Sequence, residues 1–229
     1  MTLGIIAAMK IEAEHIISKM ECTRQEMVGG ITFTVGKLGK IDAVLSVCGI
    51  GKVFASMCAQ TMIVKYAPDA IVNTGVAGTL TKELSVGDIA ISGAVVQHDM
   101  DTSPLGDPVG LISGINVIEI ASDEALVRRI SDAAASLGLK YEIGIIASGD
   151  RFIADVSSKK YITDTFSAIA CEMEGAAVGQ VCYVNKVPFA VIRAISDDAD
   201  NGACDDYPTF AANAAKNSAS IVISVAKTL

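Results

Sequence analysis

Short, near-continuous runs of Val, Ile and Ala alternate along this chain with longer amphipathic stretches. The runs Leu3–Ala8, Ile41–Cys48, Ala70–Asn73, Ile89–Val96, Ile143–Ala147, Ala168–Cys171 and Phe189–Ile195 read as strands. A strand buried on both faces loses the in-out alternation of a half-exposed one and becomes uniformly apolar. Helices must then cover both faces, so the pattern predicts an α/β chain built on a mostly parallel sheet. Hydrophobic residues make up 51% of the 229 and charged residues only 19%. That balance excludes a disordered chain, which needs low hydrophobicity and high charge. It asks instead for a large buried sheet or an apolar oligomer interface. With no linker, charge block or short-period repeat, residues 1–229 read as one domain.

The helices are expected over Ile11–Met20, Val53–Tyr66, the stretch from a Ser122 or Asp123 cap to Leu137, Val156–Phe166, Glu174–Tyr183 and Pro208–Lys227, with Gly138 stopping the third. Ile31–Leu38 and Ile41–Cys48 read as a hairpin around the turn "KLGK". The span His98–Ile115, rich in Asp, Gly, Ser and Pro, reads as a long loop, and loops of that length are usually functional.

Several partner classes are excluded early. Eighteen Lys and Arg against 26 Asp and Glu give a net charge of −8, without a basic run. Neither a nucleic-acid backbone nor an anionic membrane surface suits such a chain, and a small molecule is the better ligand. Leu3–Met9 is too short for a signal or membrane segment. Six cysteines, at 22, 48, 58, 171, 182 and 204, form no C-x-x-C pair, and only two histidines accompany them. A zinc site or disulfide scaffold is therefore not expected. Most of these cysteines sit in apolar runs and read as small core residues in a reducing cytoplasm. His15 reads as a helical surface or structural residue. His98, beside Asp99 and Asp101, lacks a third metal ligand at recognisable spacing.

In open α/β sheets ligands bind beyond the carboxyl ends of the strands. Those ends hold the unusual residues here: Glu12, Glu172, Glu174, Arg193, Asp197, Asp198 and Asp200. Each has a purely structural explanation. Glu12 and Glu174 suit the first turn of a helix, the aspartates suit a turn cap, and Arg193 could bridge to a buried Glu. A charge inside the apolar strand "FAVIRAI" must in any case meet a carboxylate or a ligand. Several strand ends delivering carboxylates together is a coincidence that independent capping does not require. Phe152 reads either as packing or as a stacking platform for a flat heterocycle. "TGVAGTL", following a strand, would let backbone approach a ligand closely. It is not a dinucleotide fingerprint, because only Gly75 and Gly78 are spaced G-x-x-G. "GIGK" at Gly49–Lys52 is not an ATP loop, since the upstream Gly is missing and Val53 replaces the hydroxyl residue.

Six segments together carry a resemblance: "GIIAAMKIEAE", "CGIGK" (Cys48–Lys52), "NTGVAG" (Asn73–Gly78), "SGDRFI" (Ser148–Ile153), "CEMEGAAV" (Cys171–Val178) and "VIRAISDDAD" (Val191–Asp200). In that order, over nearly the whole chain, they resemble the 5′-methylthioadenosine/S-adenosylhomocysteine nucleosidases, relatives of the purine nucleoside phosphorylases. The resemblance implies a three-layer nucleoside phosphorylase-type fold, with a mixed twisted central sheet flanked by helices. It implies a cytoplasmic homodimeric hydrolase of methionine salvage that needs no cofactor and no metal. Its substrates would be adenine nucleosides: methylthioadenosine, S-adenosylhomocysteine and 5′-deoxyadenosine.

The implied roles fall on matching positions. Asp197 protonates adenine N7 and Glu12 activates water. Glu174 holds the ribose hydroxyls, and Met173 lies beneath the sugar. Phe152 stacks on adenine and the Ile153 backbone reads its edge. Ala77 and Gly78 line the cleft. Glu172, Arg193 and Ser196 belong to the same binding set. Tyr207 covers the site, Ile50 lines the alkylthio pocket, and Leu105 reaches in from the partner subunit. Asp197 would have to hold a proton near neutral pH, against a reference value of about 3.9, helped by Asp198, Asp200 and burial.

Two positions depart from the family pattern: Val76 stands where Ser is common, and Tyr207 where Phe is common. Two alternatives are weaker. A phosphorylase would need several cations for phosphate, and Glu12 would repel that anion. A non-catalytic nucleoside-binding protein would be expected to lack Glu12 or Asp197.

Overall fold

The structure, a computed structural model, describes residues 1–200 and 203–229. The side chains at 204–206, 208 and 209 fall outside that description, Cys204 among them. Ten strands and six α-helices follow one another as β1 (Thr2–Ala7), α1 (Lys10–Ile17), β2 (Met20–Val28), β3 (Ile31–Leu38), β4 (Ile41–Val47), α2 (Lys52–Tyr66), β5 (Ala70–Thr79), β6 (Ile89–Gln97), β7 (Ile120–Ala121), α3 (Glu124–Ser136), β8 (Tyr141–Ser148), α4 (Val156–Phe166), β9 (Ala168–Glu172), α5 (Gly175–Asn185), β10 (Phe189–Asp197) and α6 (Ala203–Thr228). A single 3₁₀ turn, Ser103–Leu105, punctuates the long loop after β6.

All ten strands join one sheet in the order β10-β6-β8-β9-β5-β1-β4-β3-β2, with β7 alongside β6. The sheet is mixed. β1 runs parallel to β4 and β5, β5 to β10, and β8 to β6 and β9, but β10–β6, β5–β9 and the β2–β3–β4 meander are antiparallel. This corrects the mostly parallel sheet expected from the apolar runs. Continuous hydrophobicity reports burial on both faces, which an antiparallel strand under helices experiences as well. β5 also pairs with β10, so β5, β10, β6, β8 and β9 close into a ring. The length of β5 makes this possible. Its first half lies between β1 and β10, and its last residues reach β9.

Helices α1, α3 and α6 pack on one face, and α2 and α5 on the other. Cys48, Cys58, Cys171 and Cys182 are free and buried, whereas Cys22 is exposed. Among the described residues no helix is long and apolar enough to cross a membrane.

Local chemistry explains the helix ends. Asp123 caps α3, its carboxylate accepting the Leu126 N–H at 2.8 Å, and Gly138 leaves it with φ +68°. Leu38 pairs with Ile41 across a tight turn whose Gly39 has φ +64°. Two expectations fail here. Helix α1 stops at Ile17, and Met20 begins β2 instead of ending the helix. β2 is an edge strand with mostly exposed side chains, so it carries neither an alternating nor a continuous apolar signal. The last helix starts at Ala203, five residues before Pro208.

Candidate active site

The carboxyl ends of β1, β4, β5, β8, β9 and β10 surround a cleft of about 400 Å³, within the usual range for small-molecule sites. Glu12, Met173, Glu174, Ser196 and Asp197 line it, as do Ile50, Ala77, Gly78, Phe152, Glu172 and Tyr207. Ile153 lies in a narrow extension shared with Gly78, Phe152 and Asp197. Arg193 stands behind the lining rather than in it. Leu105 is far from enclosed, being 85% exposed on the 3₁₀ turn.

Glu12 is the third residue of α1 and is buried. Its Oε2 accepts the N–H groups of Ala8 (2.9 Å) and Met9 (2.8 Å), closing the helix start as a capping carboxylate does. Its Oε1 accepts the Val76 N–H at 3.1 Å. The capping reading of this residue is correct, and the same carboxylate lines the cleft. Burial pushes its pKa up, opposed by Arg193 and by these three backbone donors.

Asp197 ends β10 at a bulge, equally buried. Oδ2 accepts the Ser196 hydroxyl at 2.8 Å and Oδ1 the Ala199 N–H at 2.9 Å. Asp198, expected to crowd it, is exposed.

The glycines of "TGVAG" make room for these two acids. The segment is not a loop; it is the second half of β5, buried throughout. A Cβ on Gly75 would lie 2.6 Å from Glu12 Oε1, and one on Gly78 would lie 2.6 Å from Asp197 Oδ1. Three residues of strand, about 10 Å, thus separate the seats of the two carboxylates.

Glu172 and Glu174 part company. Glu172 accepts bonds from Ser148 Oγ and Arg193 Nη2, and from the N–H groups of Glu174 (3.1 Å) and Gly175 (2.8 Å). Its oxygens are thereby engaged by the protein. Arg193, 1% exposed, also donates to Asn73 Oδ1 at 2.6 Å and to the Ile192 carbonyl. The structural reading of Arg193, a bridge to a buried Glu, is correct. Glu174 keeps more freedom, with Oε1 accepting the Gly51 N–H at 2.8 Å and Oε2 lying 3.7 Å from Arg193. Burial and the neighbouring Glu172 push its pKa up to about 7 despite Arg193.

Phe152 is 43% exposed and meets Tyr207 edge-on, with ring centroids 5.6 Å apart. The Tyr207 hydroxyl donates to Met9 Sδ at 3.1 Å. Val76 presents an apolar wall. Ser148 and Asn73 were not singled out from sequence, yet they orient Glu172 and Arg193. Their signal was available, since a polar residue within an otherwise apolar strand needs a partner. His98 is buried against Gly149, and burial pushes its pKa down. Among the described residues no three His, Cys, Asp or Glu side chains gather as a metal site.

Among the described residues the lining carries the carboxylates of Glu12, Glu172, Glu174 and Asp197 and no Lys or Arg. The model of the phosphorylase superfamily matches residues 2–227. The 5′-methylthioadenosine/S-adenosylhomocysteine nucleosidase of Shewanella sediminis (strain HAW-EB3) is 42% identical over 231 positions, covering all of both chains. The crystal structure of the nucleosidase of that name from Neisseria meningitidis, in complex with methylthio-immucillin-A, superposes with a TM-score of 0.97 at 36% identity, over 100% of this chain and 99% of that one. Futalosine hydrolase of Helicobacter pylori strain 26695 superposes at 0.96 with 32% identity, over 100% and 98%.

Proposed function

Because the chain belongs to the phosphorylase superfamily and, within it, to the 5′-methylthioadenosine/S-adenosylhomocysteine nucleosidases, we propose that its cleft hydrolyses the N-ribosidic bond of these two nucleosides and of 5′-deoxyadenosine. The single observation that carries this reading is the pair of buried carboxylates, Glu12 and Asp197, seated three residues apart along β5. In the reaction, the bond from C1′ to adenine N9 breaks and a water oxygen joins C1′. Asp197 delivers a proton to adenine N7, which makes the base a neutral leaving group. Glu12 takes a proton from the water. The transition state is oxocarbenium-like, as in other glycoside hydrolysis. Ser196 and the Ala199 N–H orient Asp197, and three backbone donors hold Glu12.

Glu174 accepts from the ribose hydroxyls, with Met173 beneath the sugar. Phe152 stacks on adenine under the cover of Tyr207, the Ile153 backbone reads the base edge, and Ala77 and Gly78 line its side. Glu172 and Arg193 act behind the substrate by holding Glu174 and the start of α5 in place. Hydrolysis rather than phosphorolysis is supported by the lining: among its described residues none is Lys or Arg. Arg193 is already engaged with Glu172 and Asn73.

The whole chain acts as one catalytic domain and as a homodimer. The reading is supported by the apolar residues Val53, Phe54 and Met57, all exposed on α2 directly after the cleft residue Ile50. An apolar face of this kind marks an interface. Leu105 of one protomer then closes the 5′-substituent pocket of the other. Free thiols at five described cysteines suit a reducing cytoplasm.

The test is adenine release in phosphate-free buffer from methylthioadenosine, S-adenosylhomocysteine, 5′-deoxyadenosine and aminodeoxyfutalosine. The first three are expected to turn over, and D197N and E12Q to lower kcat at least ~100-fold. A strict phosphate requirement, or full turnover in both variants, overturns the reading. The fourth nucleoside is included because futalosine hydrolase of H. pylori shares the fold.

A further inference from the structure

The turn Gly49–Lys52 is not a phosphate loop, and the chemistry above makes no use of its lysine. That side chain is nevertheless only 18% exposed and ion-paired. Lys52 Nζ donates to Asp99 Oδ1 at 2.6 Å and to Gln97 Oε1 at 3.1 Å. The other oxygen of Asp99 accepts the Asp150 N–H at 2.9 Å. Asp150 Oδ1 in turn accepts the Lys52 N–H at 2.7 Å. Three residues from three different parts of the chain thus form a closed ring of charge-assisted bonds. One is the first residue of α2, one lies in the loop after β6 and one in the loop after β8.

The ring adjoins the site at one atom. Gly51, next to Lys52, donates its N–H to Glu174 Oε1 at 2.8 Å. Gly51 has φ +99°, a conformation that non-glycine residues rarely adopt, and a Cβ there would lie 2.9 Å from Asp150 Oδ1. The direction of that N–H is therefore set by how the ring holds the turn. Nothing on α5, which Glu174 opens, could supply the bond instead, because its N-terminal N–H groups at Gly175 and Ala176 go to Glu172 and Ser148. Burial works against the charge on Asp99, but Lys52 and the Asp150 N–H outweigh it and draw its pKa down. Asp99 is accordingly held in its charged form at neutral pH.

We propose that Lys52, acting through Asp99 and Asp150, is a positioning residue for Glu174, fixing the Gly51 N–H that aims this carboxylate at the sugar hydroxyls. The proposal rests on the reading of Glu174 as the ribose-binding group. Removing the ring lets the turn relax, and Glu174 loses its one main-chain donor. Its oxygen is then less well aimed, and its charged form is less well supported. The groups that remain around it are Glu172 on β9, Arg193 on β10, Glu12 on α1, Cys48 just after β4 and Tyr207 on α6. Of these only Arg193 favours the anion, so proton uptake at Glu174 moves to higher pH.

The test compares K52M, K52R, D99N, the double variant K52M/D99N and E174Q with the wild-type protein. It measures kcat/KM for methylthioadenosine over that for its 2′,3′-dideoxy analogue, the pH dependence of that ratio, and Tm. K52M and D99N are expected to compress the ratio about tenfold and to move its acid limb upward. K52R should restore most of the ratio. The double variant should be no worse than either single one, because both break the same ring. If K52M folds poorly, D99N carries the comparison. A ratio unchanged in folded K52M and D99N, while E174Q collapses it, overturns the positioning role and leaves the Glu174 reading intact. A ratio unchanged in E174Q overturns both.

Discussion

Glu174 illustrates how one side chain can be held between two states. Its carboxyl is buried beside a second carboxylate, and Arg193 answers mainly the other one. Its pKa of about 7 lies above the ordinary 4.5. Between those two values the folded protein keeps a proton that the unfolded chain has released. Stability from this group is therefore complete below about 4.5 and is lost as pH rises toward about 7. Glu12, raised by burial, adds to the same slope. We expect the Tm of E174Q, relative to wild type, to rise with pH through that window, as followed by thermal denaturation in a buffer series. A parallel pair of curves would count against the assignment. Much of this was legible in the residues. A charged Arg in an apolar strand announces a partner, and acids at strand ends announce a site. Which Glu would be engaged by Arg193 was not legible, because Glu172 and Glu174 differ by only two positions and in sequence look alike.

At the level of elements, β5 organises the chemistry. The residues predict a strand over Ala70–Asn73 followed by a Gly-rich segment, and the strand runs for ten buried residues. Glycine lowers strand propensity, so a Gly-rich end reads as a loop. Pairing with β10 on one side and with β9 at the tip overrides that preference. The glycines are there for space. Gly78→Ala would set a methyl 2.6 Å from Asp197 Oδ1, 2.8 Å from Ala199 Cβ and 3.2 Å from Ala199 Cα. Because main chain lies behind the clash, it cannot be relieved by one side-chain rotation. Gly75→Ala would meet the tip of Glu12, which has more room to yield but only by breaking N–H bonds. We expect G78A to lower kcat more than tenfold while circular dichroism stays native, with G75A milder. Wild-type turnover in G78A would mean that Asp197 is not held where the structure has it. β2 was missed for the opposite reason: as an edge strand it buries little, so its sequence carries no periodic signal.

For the molecule as a whole, the closed ring β5-β10-β6-β8-β9 gathers loops that are far apart along the chain around one cleft. The resemblance pointed to a mixed sheet, and the pairings agree with it. Composition had left open whether the 51% hydrophobic content serves a buried sheet or an interface. The apolar strands account for the first, and the exposed apolar residues on α2 support the second as part of the proposed homodimer. Val53→Asp with Met57→Asp should therefore give a monomer by light scattering. It should also raise KM for thioether nucleosides, because the partner's closure of the pocket is lost. A monomeric wild-type protein with full activity would overturn the dimer and the role of Leu105 together.

The alternation of elements, the core cysteines and the acids at strand ends could be read directly from residue order, because burial and periodicity are local properties that leave a local trace. The roles proposed for those acids come with a resemblance spread over six short segments. The strand order, the closure of the ring and the division of labour between Glu172 and Glu174 had no such trace. They depend on contacts such as Asn73 with Arg193 and Gly51 with Glu174, 120 and 123 positions apart. A contact at that separation exists only once the sheet has curled and both loops have come to the same end of it.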